Sequence, residues 1–164
     1  MVLKEIKNRR SVRSYKPDPI PRKEILEIIK AAQFAPTGMN TRAWEFYVIY
    51  NKDIREKISN LLGQPFLKEA PVLIIPAIDP KKSITPTQDL SLATQNILLQ
   101  ASSFGLGTVW KNIRYESDVE AIRDLLSIPN NFMVINIIPL GYPKVKSRPH
   151  ADSDFDPKKI HQIV

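Results

Sequence analysis

The run "TPTQDLSLATQNILLQASSFG", residues 85–105, constrains the fold more than any other stretch. Thr85, Pro86 and Gln88 read as a capping box with proline at the first helical position, and Gly105 supplies a stop. A helix is expected over 86–104. Its middle is apolar on most faces: Leu92, Ala93, Ile97, Leu98, Leu99 and Ala101 cannot all point at one sheet. A helix of this kind is buried on several sides. Either it is the central core helix of one chain, or a second subunit supplies part of its cover; the pattern leaves both open.

The segments around it alternate less regularly. A short helix is expected over 2–12, with Leu3, Ile6 and Val12 as its stripe. Prolines 17, 19 and 21 then make a stiff connector. Pro21 opens a helix over 21–34 whose face is Ile25, Ile28, Ile29 and Ala32. After a turn-rich loop, "EFYVIY" (45–50) reads as a strand. Asn51 caps a helix over 52–62, with Ile54, Ile58 and Leu61 inward and Gly63 as its stop. "VLIIPA" (72–77) is a second strand, and Pro76 marks it as an edge or a strand end. Ser117 and Glu120 form another capping box for a helix over 118–127, ending before Pro129. "FMVINIIPL" (132–140) is a long third strand. The polar tail ends on an apolar patch, Ile160, Ile163 and Val164, of the kind that docks rather than dangles. Helices and strands mix without strict alternation, which favours an α+β fold over a doubly wound sheet.

A chain of 164 residues is one domain on the usual prior, and 43% hydrophobic residues are enough for a core. No apolar run reaches the length of a membrane span, and the N-terminus carries no export signal. There is no cysteine, which removes disulfides, thiolate metal sites and cysteine nucleophiles and fits the cytoplasm. The two histidines, His150 and His161, read as tail residues; no metal is expected. "GLGTVW" follows a helix instead of a strand and lacks the dinucleotide-binding spacing, and neither a P-loop nor a nucleophile elbow is present.

What stands out is charge. The net charge is +7, and three arginines fall in "RRSVRSY", residues 9–15. A basic balance calls for an anionic partner or a solvated surface. On a continuing helix Arg9 and Arg13 would share a face, with Ser11 adding a hydroxyl. Lys146 and Arg148 bracket Ser147 after the last strand. If the fold joins these ends, four cations and two hydroxyls converge, a set that suits a phosphate dianion. Otherwise each is a solvated surface charge.

"RRSVRSY" followed by "APTGMNTRAWEFYVI", with "GLGTVW", "LGYP" and "KSR" in order downstream, resembles the FMN-dependent nitroreductase family over about residues 5–150. The resemblance implies a central mixed, mainly antiparallel sheet flanked by helices, in an intertwined homodimer with flavin sites at the interface. It treats 1–164 as one FMN-binding domain, with a tail of about 143–164 docking on the partner. Arg9 and Ser11 would hold the ribityl chain and phosphate, with Arg10 on the same segment. Arg13 would approach the pyrimidine edge. Pro36, Thr37, Gly38 and Asn40 match the segment that reaches the flavin from the other subunit. Thr108, Val109 and Trp110 match the stretch under the ring, Lys146 and Arg148 the distal phosphate clamp, and Gln64 a further polar contact. The sequence departs from the family at Arg42-Ala43, where Gln-Pro is usual, and it is short for the family.

The activity implied is an NAD(P)H oxidoreductase with NADH or NADPH as reductant. Its acceptors would be flat and electron-poor, such as nitroaromatics, quinones or flavins, taken in a ping-pong cycle. The competing readings are a flavin-binding protein without turnover and a basic nucleic-acid-binding module. Against the latter, no recognised nucleic-acid motif is present and the basic residues are spread along the chain.

Overall fold

The computed structural model describes residues 1–163. Its axis is strand β2, Val72–Ile78, in which every residue is buried. Successive side chains of a strand point to opposite faces, and β2 uses both. Val72, Ile74 and Ile78 enter one apolar cluster, with Ile25, Ile28 and Ala32 of α2 (Arg22–Gln33) and Leu90, Ala93, Ile97, Leu98 and Ala101 of α5 (Pro86–Ser103). Leu73, Ile75 and Ala77 enter the other, with Ile58 of α3 (Lys52–Leu61), Phe66 and Leu67 of α4 (Phe66–Glu69), and Val119 and Ile122 of α6 (Glu116–Leu126). The molecule is thus a sheet with a helical layer on each face.

The sheet order is β1-β2-β6-β3, with β1 Trp44–Ile49, β3 Gly107–Thr108 and β6 Asn136–Gly141. Strand β4, Lys111–Asn112, also pairs with β6, and β5, Met133–Val134, pairs with β2. Every strand pair is antiparallel. This is the α+β architecture expected. Among the described residues no helix is long and apolar enough to cross a membrane.

Several local expectations hold. Asn51 Oδ1 accepts the Ile54 N–H at 3.0 Å, and Gly63 leaves α3 with φ +60°. Pro86 opens α5. Others are corrected. The first helix, α1, covers only Lys4–Asn8; Leu3 before it and Ile6 within it are exposed. Pro76 lies in the central strand: β6 pairing stops at Ile74 and β5 pairing starts at Ala77, so the missing N–H falls in a gap. The stretch 132–140 is two strands because it changes partner. Val134 pairs with Ala77, the Ile135 carbonyl turns to accept the Ile113 N–H at 3.1 Å, and Asn136 then starts β6. Leu61 is exposed rather than inward. Ser117 lies inside α6, whose N-cap Tyr115 has no side-chain cap.

Helix α5 is covered on two sides within one chain, by the sheet and by α2, where Asn96 Nδ2 donates to the Ala31 carbonyl at 2.9 Å. Leu92 remains exposed. The tail folds back on α1: the His150 N–H bonds the Lys7 carbonyl, and Lys7 Nζ lies 2.6 Å from Asp152 Oδ1. Beyond it Ile160 and Ile163 are exposed; Val164 lies outside the described residues.

Gly107 marks where the N-terminal segment meets the sheet. A Cβ there would sit 2.8 Å from three carbons of Val12. Gly107→Ala is expected to cost about 1–3 kcal/mol by overpacking, read as a lower denaturation midpoint. An unchanged midpoint would contradict this contact.

Candidate functional site

The arginine run does not continue the first helix. Arg9 turns into extended backbone with ψ 118°. The chain then lies against the sheet: Ser11 bridges parallel to Thr108, the Val12 N–H donates to the Thr108 carbonyl at 2.9 Å, and Tyr15 bridges to Pro143. The Lys16 N–H reaches the Tyr142 carbonyl and the Lys144 N–H the Ser14 carbonyl, so this segment joins the start of the tail to the sheet. Tyr15 is the anchor, 1% exposed, with its hydroxyl donating to the Val12 carbonyl at 2.5 Å. Burial of Tyr15 and backbone pairing outweigh whatever a longer helix would gain. The expectation that Arg9 and Arg13 share a helical face is therefore wrong.

The two arginines in fact open onto different cavities. The larger, about 650 Å³, is lined by Arg9, Arg10, Lys16, Thr108, Lys144 and Lys146, with Gly105–Gly107, Ser147 and others completing the wall. Five cations face it, and among the described residues no carboxylate does. Lys144 is partly satisfied by Glu69 at 3.1 Å, outside the wall. Arg9, Arg10, Lys16 and Lys146 form no ion pair among the described residues. Like charges gathered this way raise the local potential and favour an anion. Arg148 joins indirectly, its carbonyl accepting from Arg10 Nη1 at 3.0 Å. Lys16 and Lys144 were missed in the sequence, although Lys144 stands at the same two-residue spacing as Lys146 and Arg148.

Arg13 lines a second cavity of about 340 Å³ with Gln64, Lys111, Arg114, Tyr115, Asp118 and Leu62. Burial, then the charge of Arg114, holds the Lys111 ammonium below its ordinary range, and Asp118 opposes this. Lys111 and Arg114 had no sequence signal, because they meet Arg13 only through β4 and the following turn. Trp110 lines a third cavity with Arg9, and its indole N–H bonds Asn112 Oδ1. Val109 points into the core, 2% exposed, so only its backbone can meet a ligand. Ser11 is exposed beside Thr108.

Pro36, Thr37, Gly38 and Asn40 line none of these cavities within one chain. They belong to a strained loop. Met39, Asn40 and Arg42 all take positive φ, at 52°, 56° and 49°, each costing on the order of 1 kcal/mol for a non-glycine residue. Backbone strain of this kind persists only where surrounding contacts over-determine it. Here the Arg42 N–H bonds Thr37 Oγ1 at 3.2 Å, and Arg42 Nε bonds Asn40 Oδ1 at 2.9 Å.

This sheet with a helical layer on each face has counterparts among known proteins. The family model for the nitroreductase family matches residues 6–64 and 59–142. A Methanothermobacter thermautotrophicus protein, provisionally named NADH dehydrogenase/NAD(P)H nitroreductase, is 41% identical over 98% of this chain and 85% of its own length. A Bacillus subtilis FMN reductase [NAD(P)H] is 27% identical over 89% of this chain and 67% of its own. The solved structure of an FMN-dependent nitroreductase from Clostridium difficile superposes with a TM-score of 0.90 at 34% identity, covering 96% of both chains. The chain belongs to the nitroreductase family.

Tyr15 offers a test of how the arginine segment is held. Burial pushes its phenol well above the ordinary value; Arg13 pulls it down and Glu69 pushes it up. A phenol with a raised folded pKa contributes stability below its unfolded value of about 10, and loses it as pH climbs further. The stability of the wild type should thus fall more steeply above pH ~10 than that of Tyr15→Phe. Parallel pH curves for the two would show that Tyr15 is not buried as described.

Proposed function

We propose that the chain is an FMN-dependent NAD(P)H oxidoreductase working as a homodimer in the cytoplasm. The observation that carries this reading is the basic cavity, without a carboxylate among the described residues, joined by the extended 9–13 segment to a second cavity holding Arg13 and Gln64. Four residues of extended chain span ~13 Å, a distance on the scale of one flavin mononucleotide. The donor set also fits that molecule: guanidinium and ammonium groups at one end for a phosphate, and an amide with a cation at the other for a pyrimidine edge.

Under this reading the whole of 1–164 is one cofactor-binding domain, with the tail from about 143 docking on the partner. Arg9, Arg10, Lys146 and the Arg148 segment hold the phosphate, and Ser11 and Thr108 border the ribityl chain. Val109 and Trp110 support the ring through their backbone. Arg13 and Gln64 meet the pyrimidine edge, and Pro36, Thr37, Gly38 and Asn40 complete the site from the second subunit. FMN, when bound, supplies the hydride chemistry. The protein places it and sets the electrostatics. Arg13 favours the form that carries more negative charge at the pyrimidine edge, so it raises the potential. Reductant and acceptor would use the same open face in turn, a ping-pong cycle. Flat, electron-poor acceptors such as nitroaromatics, quinones or free flavins suit such a face.

Three outcomes are expected. Purified protein titrated with FMN should show bound-flavin absorbance that bleaches anaerobically with NADH or NADPH. Flavin that binds but stays oxidised would mean a flavin-binding protein without this turnover, and no binding would sink the reading. Arg9→Ala should weaken FMN binding by about 1.5–3 kcal/mol, the scale of a charged hydrogen bond. Arg13→Met should lower the two-electron potential by roughly 30 mV for each ~1.4 kcal/mol of lost stabilisation. Unchanged affinity in Arg9→Ala, or unchanged potential in Arg13→Met, would remove that residue from its role.

A further inference from the structure

Helix α5 does not start as a capping box. Thr85 makes no side-chain cap to the helix, and Gln88 is exposed. The Thr85 hydroxyl donates instead to Asp89 Oδ1 at 3.0 Å. Asp89 is 1% exposed, and its carboxylate collects two further donors: the Ser83 hydroxyl on Oδ2 at 2.7 Å and the Gly38 N–H on Oδ1 at 3.1 Å. Asp89 forms no ion pair among the described residues. A buried carboxylate is costly unless hydrogen bonds offset it. Two of these donors are local to the helix start. The third comes from 51 residues away, in the loop that carries three left-handed residues.

Gly38 lies flush against this start. A Cβ there would be 2.6 Å from Thr85 Oγ1 and 2.7 Å from Ile84 Cγ1. The chain leaves Gly38 directly into the positive-φ residues Met39 and Asn40, and Met39 is 84% exposed. The loop is therefore pinned at one backbone amide and projects outward from it. Its strain is held by the Asp89 contact at one end and by the Thr37–Arg42 bond at the other.

We propose that Asp89 is a positioning residue, whose buried carboxylate fixes the 36–42 loop in the shape that completes the FMN site of a second copy of this chain. The inference rests on the preceding reading of the loop as an in-trans flavin contact. Asp89 never touches the cofactor; it acts through the Gly38 amide.

The test compares Asp89→Ala, Asp89→Asn and Ser83→Ala with wild type, in the dimer, by FMN titration and by amide hydrogen exchange at Gly38. Asp89→Ala should raise the FMN dissociation constant about tenfold or more and speed Gly38 exchange. Asp89→Asn keeps an oxygen for Gly38 and Thr85, so it should stay within about threefold of wild type. Ser83→Ala weakens the helix start without touching the loop bond, and should leave FMN affinity near wild type whatever it does to melting temperature. If Asp89→Ala does not fold, Gly38→Ala serves as the loosened variant: its Cβ would meet Thr85 Oγ1 at 2.6 Å and push the Gly38 amide off Asp89, with the same expected rise. Fast Gly38 exchange with unchanged FMN affinity overturns the inference while leaving the flavin reading intact. So does an equal loss in Ser83→Ala, which would mean general destabilisation. Wild-type protein that binds no FMN overturns the reading beneath it, and the inference falls with it.

Discussion

Strand β2 is buried on both faces, and everything else is arranged around that fact. A strand with Val72, Ile74 and Ile78 on one side and Leu73, Ile75 and Ala77 on the other needs two apolar layers. Antiparallel sheets more often leave one face to water. Here α2 and α5 cover one face, and α3, α4 and α6 cover the other. The antiparallel neighbours β1 and β6 then fix the register, because a slip of one residue would exchange the two cores. With β6 held, β3 and β4 are held, and the seat of the arginine segment at the β3–β6 end is set. The basic cavity is thus a consequence of the core. Cations cannot be packed inside the sheet, so they gather where the ladder ends and water begins.

The segment 9–15 couples that core to the site. Tyr15 and Val12 are its apolar anchors, and the arginines between and before them face outward into three cavities. Repulsion among Arg9, Arg10, Lys16 and Lys146 is a standing cost in a single chain. An anion held between them would offset it, so ligand binding and the stability of this end of the molecule should be linked. The strained 36–42 loop presents a second stored cost. Both lie away from the layers that define the fold, which is where a protein can carry function at the expense of stability.

The sequence was informative wherever local chemistry decides. The Asn51 cap, the Gly63 and Gly105 stops, Pro86 at the start of α5 and the apolar faces of α2 and α5 were all legible. So was the basic character of residues 9–13 and 146–148. It misled where tertiary contacts override local preference. Helical spacing for Arg9 and Arg13 gave way to pairing with Thr108 and burial of Tyr15. Pro76 looked like an edge residue, yet it sits at a change of partner inside the central strand. Thr85 and Gln88 spelled a cap that does not form, because the Thr85 hydroxyl turns to the Asp89 carboxylate, which also takes a donor from 51 positions away. Lys111 and Arg114 gave no signal, since nothing local tells that β4 will carry them to Arg13.

The central claim is that the basic cavity exists to hold a phosphate. The most direct test measures binding of FMN and of riboflavin, which lacks the phosphate, to the same protein at low and moderate salt. The account predicts that FMN binds about 100-fold tighter or more at low salt, the scale of one or two charged hydrogen bonds, and that the gap narrows as salt rises. Equal affinities for the two flavins, or a gap indifferent to salt, would contradict it.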